Sequence, residues 1–289
     1  MQDELAGERR WRRFLWPPLF IAALLLFLPQ ASFVWMSFHK NLGMGAISHT
    51  LAFDNYVQVL TDRFYLDSIW LTFRLSLVAT AVTLVMAFPA AYLLARTRSR
   101  WISVLIALLL VSSFVTVVIK VLGLSLTLGQ EGVVNQFLQW VGIVSTPIRM
   151  LDNETGVVIG LVQFTLPFLL MLLFSVVQTI PQSLEEAAEI HGATRLSTFR
   201  RIIAPLAMPG IVSGSLITFN LNMGAFTSAV LLGGGKVLTL PVVIQRKVFL
   251  DVDYPLAACL ATVLVVMVFF FNVAFALTLR SKVDPVRNA

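Results

Sequence analysis

The sequence predicts an all-α, polytopic membrane protein with six transmembrane helices. Of its 289 residues, 58% are hydrophobic and only 12% are charged, whereas about 25% of the residues in a soluble globular chain are charged. The apolar residues are concentrated in six runs of about 20 residues or more, long enough to cross a hydrocarbon core about 30 Å thick. The stretches between the runs are too short to fold separately, so we expect residues 1–289 to form a single transmembrane domain.

The six runs follow one another along the whole chain. Their predicted bounds are about 14–38, 66–95, 101–128, 155–180, 205–232 and 255–279. The first run follows a cluster of arginines and continues past the usual length of a signal peptide without a small-residue cleavage site. We therefore interpret it as an uncleaved signal anchor.

Lysine and arginine residues in the loops predict the orientation of the spans, because positive charge is retained on the cytoplasmic side. One side carries Arg9, Arg10, Arg12, Arg13, Arg96, Arg98, Arg100, Arg195, Arg200, Arg201, Arg280, Lys282 and Arg287. The other side carries only Lys40, Arg63, Arg149, Lys236, Arg246 and Lys247. Both termini are therefore expected to be cytoplasmic. The net charge of +6 is then a consequence of topology, and no nucleic-acid partner is expected.

Only one acidic residue, Asp67, falls within the bounds of a predicted span, and it lies at the outer end of the span 66–95. Carriers driven by protons or sodium ions place ionisable groups near the middle of the membrane, where the coupling ion binds. The lack of acidic residues near the middle of the predicted spans therefore argues against secondary transport. A carrier or channel subunit that needs no ATPase is retained as the alternative function.

No catalytic residue, metal site or cofactor is predicted. The three histidines, His39, His49 and His191, are dispersed without metal-ligand spacing. The run Gly233-Gly234-Gly235-Lys236 is similar to the end of a phosphate-binding loop, but Val230 and Val237 replace two residues that the pattern requires. The chain is therefore not expected to be an enzyme or to bind ATP by that route.

Polar residues inside the spans are candidates for a solute path. Ser215, Thr218 and Asn222 share one face of the fifth span, whereas Asn220 points almost the opposite way. The alternative for this face is hydrogen bonding between helices, worth about 0.6–2 kcal/mol per contact. Gln163, four residues before the helix-kinking Pro167, is a further candidate.

Two cations lie within predicted spans. Arg74 and Lys120 are each about two turns from the outer end of a span, so both side chains can extend to the interface. For Arg74 we favour this extension to the interface. For Lys120 the extension to the interface and a place on the solute path are equally favoured.

The loop between the fourth and fifth spans, residues 181–204, is too long for a turn and too polar to insert into the membrane. Ser183 followed by Glu186 is the capping-box pattern, which predicts that a helix begins there. Ala187 and Ala188 provide a small-residue face, and Gly192 is expected to end the helix in a left-handed conformation.

A second amphipathic helix is predicted in the same loop. Its apolar stripe consists of Leu196, Phe199, Ile202 and Ile203. The loop is therefore expected to form a helix, a turn and a helix on the inner surface. Small residues at fixed offsets favour a docking element over a merely solvated helix.

These residues resemble the EAA loop of permease subunits of bacterial binding-protein-dependent ABC importers. The similarity consists of Glu186-Ala187-Ala188, Gly192 and the segment 202–205, in which Ala204 stands where the family usually has leucine. The resemblance implies the type I importer permease fold. It also implies that this loop is the coupling helix, seated in a cleft of the ATPase through Glu186, Ala187, Ala188 and Gly192.

Further segments extend the resemblance over nearly the whole chain and narrow it to the spermidine/putrescine-type branch. They are Asp54–Tyr56, Gly132–Asn135, Thr146–Arg149, Leu231–Gly234 and Asp253–Leu256. Lys120 occupies a position where such permeases often carry arginine. Because the branch also includes carriers of other solutes, such as aminophosphonates and opines, the resemblance fixes neither the solute nor its charge.

The resemblance implies an ATP-driven importer in a bacterial inner membrane, in which this chain forms the solute path. The implied protein partners are a second permease subunit, with a paralogue favoured over a copy of this chain, an ABC ATPase dimer and a periplasmic or extracellular solute-binding protein. The membrane lipid surrounds the spans. ATP and Mg²⁺ would be bound by the ATPase.

Overall fold

In the computed structural model, residues 2–43, 45–97 and 99–287 are described, and most of them are helical. Within these residues, six helical segments are long and apolar enough to cross a membrane. They are Trp16–Ser37, Arg63–Arg96, Val117–Trp140, Glu154–Gln178, Arg195–Met223 and Tyr254–Leu277. The predicted helical membrane fold with six spans is confirmed. Arg98, one of the loop cations that predict the orientation, lies outside the described residues.

The elements follow in chain order, interrupted by one short hairpin. They are α1 (Gln2–Ser37), β1 (His39–Gly43), β2 (Ala46–Leu51), α2 (Asp54–Thr61), α3 (Arg63–Arg96), α4 (Arg100–Phe114), α5 (Val117–Leu128), α6 (Val133–Trp140), α7 (Glu154–Gln178), α8 (Ser183–Ile190), α9 (Arg195–Thr198), a π-helical segment (Phe199–Ile203), α10 (Ala204–Met223), α11 (Thr227–Leu232), α12 (Leu240–Phe249) and α13 (Tyr254–Arg287).

The chain divides into two units, one of which comprises the described residues of 1–66 and 243–267. In this unit β1 and β2 form an antiparallel hairpin, which the sequence analysis did not predict. The side-chain amide of Asn55 donates hydrogen bonds to the carbonyls of Ser37 and His39, at 3.0 and 2.8 Å. These bonds fix the start of α2 against the end of α1.

The other unit comprises the described residues of 67–242 and 268–289. Its most enclosed helix is α7, where Val157, Leu169 and Leu173 are fully buried. Helix α10 packs along α7 through Gly210 and Gly214, one turn apart. A β-carbon at Gly210 would lie 2.5 Å from the side chain of Val176, so glycine is required for this close approach.

Two predicted spans are each broken into two helices, so their predicted continuity was wrong. The segment long enough to cross a membrane here is Val117–Trp140, so the predicted bounds 101–128 were wrong as well. Residues 101–128 fall on two helices, α4 and α5, because Val115 and Thr116 have non-helical backbone angles. They begin a run of five β-branched residues, 115–119, a residue class that loses rotamer freedom in a helix. The span 205–232 ends as a regular helix at Met223, before Gly224, and resumes as α11 at Thr227.

The predicted helix, turn and helix of the loop 181–204 are present, but the second helix does not end within the loop. Helix α9, the π-helical segment and α10 follow one another without a break, so the segment runs directly into the fifth span. Pro205 explains the local geometry, because it has no N–H to donate to the preceding turn. The N–H of Ala204 instead reaches back five residues to the carbonyl of Phe199, which is the π-helical pattern.

Candidate functional site

Helix α8 and the turn after it carry the residues that the family resemblance assigns to coupling. Gly192 follows it with φ +78°, so the predicted left-handed ending is confirmed. The N–H of Gly192 donates to the carbonyl of Glu189 at 2.9 Å, and that of Ala193 donates to Ala188 at 3.0 Å. These two bonds form a Schellman ending.

The predicted capping box at the start of α8 was wrong. Gln182 already has helical backbone angles, so Ser183 is the first residue of the helix rather than its cap. The carbonyl of Gln182 accepts the N–H groups of Glu185 and Glu186, at 2.9 and 3.1 Å. The backbone thus supplies the acceptors that a serine cap would otherwise provide.

Arg96, Tyr92 and Glu185 join the end of α3 to the first turn of α8. Arg96 Nε donates to Glu185 Oε1 at 2.5 Å, and the Tyr92 hydroxyl donates to Glu185 Oε2 at 2.8 Å. Arg96 Nη2 also donates to the carbonyl of Ile180 at 2.9 Å. The side chains of Arg96 and Glu185 are only 13% and 15% exposed, so this ion pair is shielded from solvent.

Aromatic packing adds a second connection between the loop and α3. The ring of Phe199, in the π-helical segment, lies 4.8 Å from that of Phe88 and 5.1 Å from that of Tyr92. Ile203 and Ala207 are buried beside them, in a cluster with Ile180. The loop is therefore held against α3 on both sides of Gly192.

The outer side of α8 is unoccupied by other described residues. Glu186, Ala187 and Gly192 are exposed, whereas Ala188 is buried against the chain itself. Ile190 is 84% exposed, and a β-carbon at Gly192 would meet no described atom within 4 Å. The four predicted coupling residues therefore fall on two sides of the helix, with Ala188 facing inward.

The predicted solute-path face of α10 is enclosed by this chain. Thr218 and Asn222 are buried, and the Asn222 amide donates to Thr80 Oγ1 on α3 at 3.1 Å. Ser215 Oγ is buried with no partner among the described residues. By contrast, half-buried Asn220 exchanges two hydrogen bonds with Asn272. These contacts favour helix-to-helix bonding for Asn222, and its place on the path stays a prediction.

The remaining candidates lie on other helices. Lys120 on α5 and Gln163 on α7 are both half-buried, and their place on the path also stays a prediction. Arg74 pairs with Glu154, the first residue of α7, a partner that the sequence analysis did not identify. Within the described part of the chain, no group of three His, Cys, Asp or Glu residues could hold a metal ion.

Several segments that carry the family resemblance have structural roles. Buried Asn135 donates to the carbonyls of Gly129 and Ile148, at 2.9 and 3.1 Å, and accepts the N–H of Ile148 at 2.8 Å. Gly234 has φ +54°, and a β-carbon there would clash with the carboxylate of Asp152. These residues fix the loops on the side opposite α8. The similarity of these segments to the family therefore reflects the requirements of folding.

Comparison with known proteins agrees with this architecture. The family model described as "Binding-protein-dependent transport system inner membrane component" matches residues 51–282. The chain is 35% identical over 245 residues to the spermidine/putrescine transport system permease protein PotB of Escherichia coli (strain K12), covering 84% of this chain and 88% of that protein. It is 26% identical over 234 residues to the sulfate transport system permease protein CysW of Synechocystis, covering 79% and 78%.

Solved structures show the same fold. One chain of a bacterial ABC transporter involved in the import of the acidic polysaccharide alginate aligns with a TM-score of 0.72 at 21% identity, covering 96% of this chain and 99% of that chain. A chain of the MetNI methionine ABC transporter aligns with a TM-score of 0.58 at 19% identity, covering 75% and 94%. At these identities the likeness concerns the fold alone.

Proposed function

Because the chain belongs to the family of binding-protein-dependent transport system inner membrane components, and is thus a permease subunit of an ABC importer, we propose that the solute it moves is a polyamine. The supporting observation is the 35% identity to PotB over 84% of the chain. The family match also sets aside the alternative of a carrier or channel that works without ATP.

We propose the complete importer as follows. An ABC ATPase dimer binds ATP and Mg²⁺ and docks on α8, and a solute-binding protein docks on the opposite side. A second permease, a paralogue of this chain, completes the solute path. This chain is a multi-pass protein of the inner membrane; residues 1–289 act as one membrane domain with both termini in the cytoplasm, as the arginine distribution indicates.

The proposed coupling step is a rigid-body movement of α8 that follows closure of the ATPase dimer. Arg96 and Tyr92 tie the first turn of α8 to α3. After Gly192, the chain continues as an unbroken helical segment into α10. Movement at α8 would therefore reach the second and fifth spans together, because each is attached at one end of the coupling helix.

The test is transport by the complete importer in proteoliposomes. This chain is produced with the ATPase, second permease and binding protein of its importer, and uptake of labelled putrescine and spermidine is measured with and without ATP. We expect uptake that needs both ATP and the binding protein. ATP-driven uptake of sulfate or another anion, with no polyamine uptake, would overturn the proposed solute.

A further inference from the structure

A cleft of about 350 Å³ lies where the fifth span is interrupted, between the end of α10 and the start of α11. Its lining includes Val117, Phe164, Asn220, Phe226, Thr227 and Ser228. Phe164 is the eleventh of the 25 residues of α7, so the cleft lies near the middle of a transmembrane helix. An irregular backbone at this depth is tolerated where it lines a cavity.

Ser228 supplies a polar group that no described residue satisfies. The residue is 1% exposed, and its hydroxyl has no hydrogen-bond partner among the described residues. Buried polar groups are nearly always paired. Ser228 lines the cleft, and its hydroxyl lies beside Gly160 of α7. A rotation of this side chain toward the cleft would let the hydroxyl bond to a partner from outside the chain.

The end of α10 borders the same cleft. The last four carbonyls of a helix have no partner within it and carry partial negative charge. Asn220 and Asn222 use theirs to accept N–H groups of Gly224 and Ala225, and Leu221 and Gly224 line the cleft. Carbonyl oxygens and aromatic faces, here those of Phe164 and Phe226, are the groups that attract ammonium ions.

We propose that this cleft is an intramembrane binding site for a primary ammonium group of the transported solute. The proposal rests on the proposed function, since it assigns a contact to a polyamine. It also explains how a polycation could pass a membrane region without carboxylates. The ammonium group would lie against the α10 carbonyls and the two phenylalanine rings, and Ser228 Oγ would accept one of its hydrogen bonds after the side chain rotates toward the cleft.

Three features of the same region oppose a cation. The first residues of two helices, Val117 of α5 and Thr227 of α11, line the cleft, and Lys120 follows Val117 one turn later. A helix N-terminus and a lysine both favour an anion. The sign of the charge that the cleft accepts is therefore the property to measure.

The first experiment measures that sign directly. Thr227, which is half-buried and lines the cleft, is changed to cysteine in a Cys259→Ala background of the complete importer. Rates of modification by a cationic and an anionic methanethiosulfonate are each normalised to their rates with free cysteine. We expect the cationic reagent to be favoured about tenfold, equivalent to 1.4 kcal/mol, and spermidine to protect the thiol.

The matched control is Ser213→Cys on the exposed side of α10, where the native hydroxyl bonds only to its own helix. There we expect no such preference and no protection by spermidine. Equal normalised rates at residue 227, or a preference for the anionic reagent, would overturn the proposed ammonium site.

The second experiment compares uptake by conservative variants. Phe226→Leu and Ser228→Ala should each lower polyamine uptake about fivefold at limiting solute, whereas Phe226→Tyr and Ser213→Ala should keep it within about twofold. Unchanged uptake in both Phe226→Leu and Ser228→Ala would overturn the site while leaving the proposed function intact. If the unmodified importer moves no polyamine but residue 227 still favours the cationic reagent, the proposed solute fails and the cation-selective cleft stands.

Discussion

Arg96 donates through Nε to the carboxylate of Glu185 at 2.5 Å and thereby joins the last residue of α3 to the first turn of α8. Both side chains are largely buried. Removing one partner of a buried pair is costly because the other charge is left without compensation. Besides the hydrogen bond from Tyr92 and the packing of Phe199, the coupling helix is therefore attached by an ion pair that the family motif does not include.

We expect Arg96→Gln and Glu185→Gln each to destabilise the coupling region by about 3–5 kcal/mol and to lower the amount of solute moved per ATP hydrolysed. The double variant should lose less than the sum of the two, because the residues interact directly. Thermal unfolding and coupled uptake assays of the purified importer measure both effects. As a control, Arg74→Gln removes a half-exposed pair with Glu154 and should cost about 1 kcal/mol or less. Additive losses in the double variant would contradict this role.

Replacement of Gly192 separates backbone strain from docking. At φ +78° a β-branched residue is strongly disfavoured, whereas asparagine is tolerated. We expect Gly192→Val to insert normally but to uncouple ATP hydrolysis from uptake, and Gly192→Asn to retain most coupling. Normal uptake by a well-expressed Gly192→Val variant would refute the coupling assignment.

Cysteine labelling tests which asparagine of α10 is accessible. In a Cys259→Ala background of the resting importer, we expect Asn220→Cys to react with a water-soluble thiol reagent, because Asn220 lines the cleft. Asn222→Cys should react much more slowly, because Asn222 is 2% exposed. Faster reaction at residue 222 would instead support the face proposed from helical periodicity.

Substitution of Lys120 reports on the charge of the solute. If the solute is a polyamine, Lys120→Glu should keep or raise the uptake rate, because it replaces a like charge with an opposite one. Lys120→Gln should be nearly silent, and Lys120→Arg should resemble the parent. Uptake is measured at matched surface expression. Loss of uptake in Lys120→Glu alone would indicate an anionic solute.

Asn135 is predicted to stabilise the loop opposite α8. Asn135→Asp keeps the bond to the Ile148 N–H but places a carboxylate against the carbonyls of Gly129 and Ile148. We expect a loss of about 2–4 kcal/mol, measured by thermal unfolding. Gln136→Ala, which removes one exposed hydrogen bond to the Glu131 carbonyl, should cost less than about 1 kcal/mol. Equal losses of stability in the two variants would contradict this role of Asn135.

Much of the fold follows from local features of the sequence. Hydropathy places the six spans, since a membrane helix must be apolar along its whole length. The left-handed ending at Gly192 follows from the lack of a β-carbon in glycine. Both are properties of a short segment and need no tertiary information.

The sequence alone does not predict the breaks in the third and fifth spans. It also does not predict that Arg96 pairs with Glu185. A run of β-branched residues at 115–119 is tolerated in many membrane helices, so its effect here depends on packing. Arg96 and Glu185 are 89 residues apart, and only the fold brings them together. The burial of Asn222 beside Thr80 likewise depends on which helix α10 meets, which periodicity alone does not reveal.

The π-helical segment before α10 also affects the angle by which the stretch before it is rotated about the helix axis relative to span five. An α-helix advances about 100° per residue, and the segment 199–203 contains a wider turn than the helices on either side. Because the wider turn holds one extra residue, deleting one residue there would restore regular winding and leave the stretch that begins at Arg195 at about the same angle to span five. The same deletion within the regular part of α10 would instead turn the two flanking stretches by about 100° relative to each other.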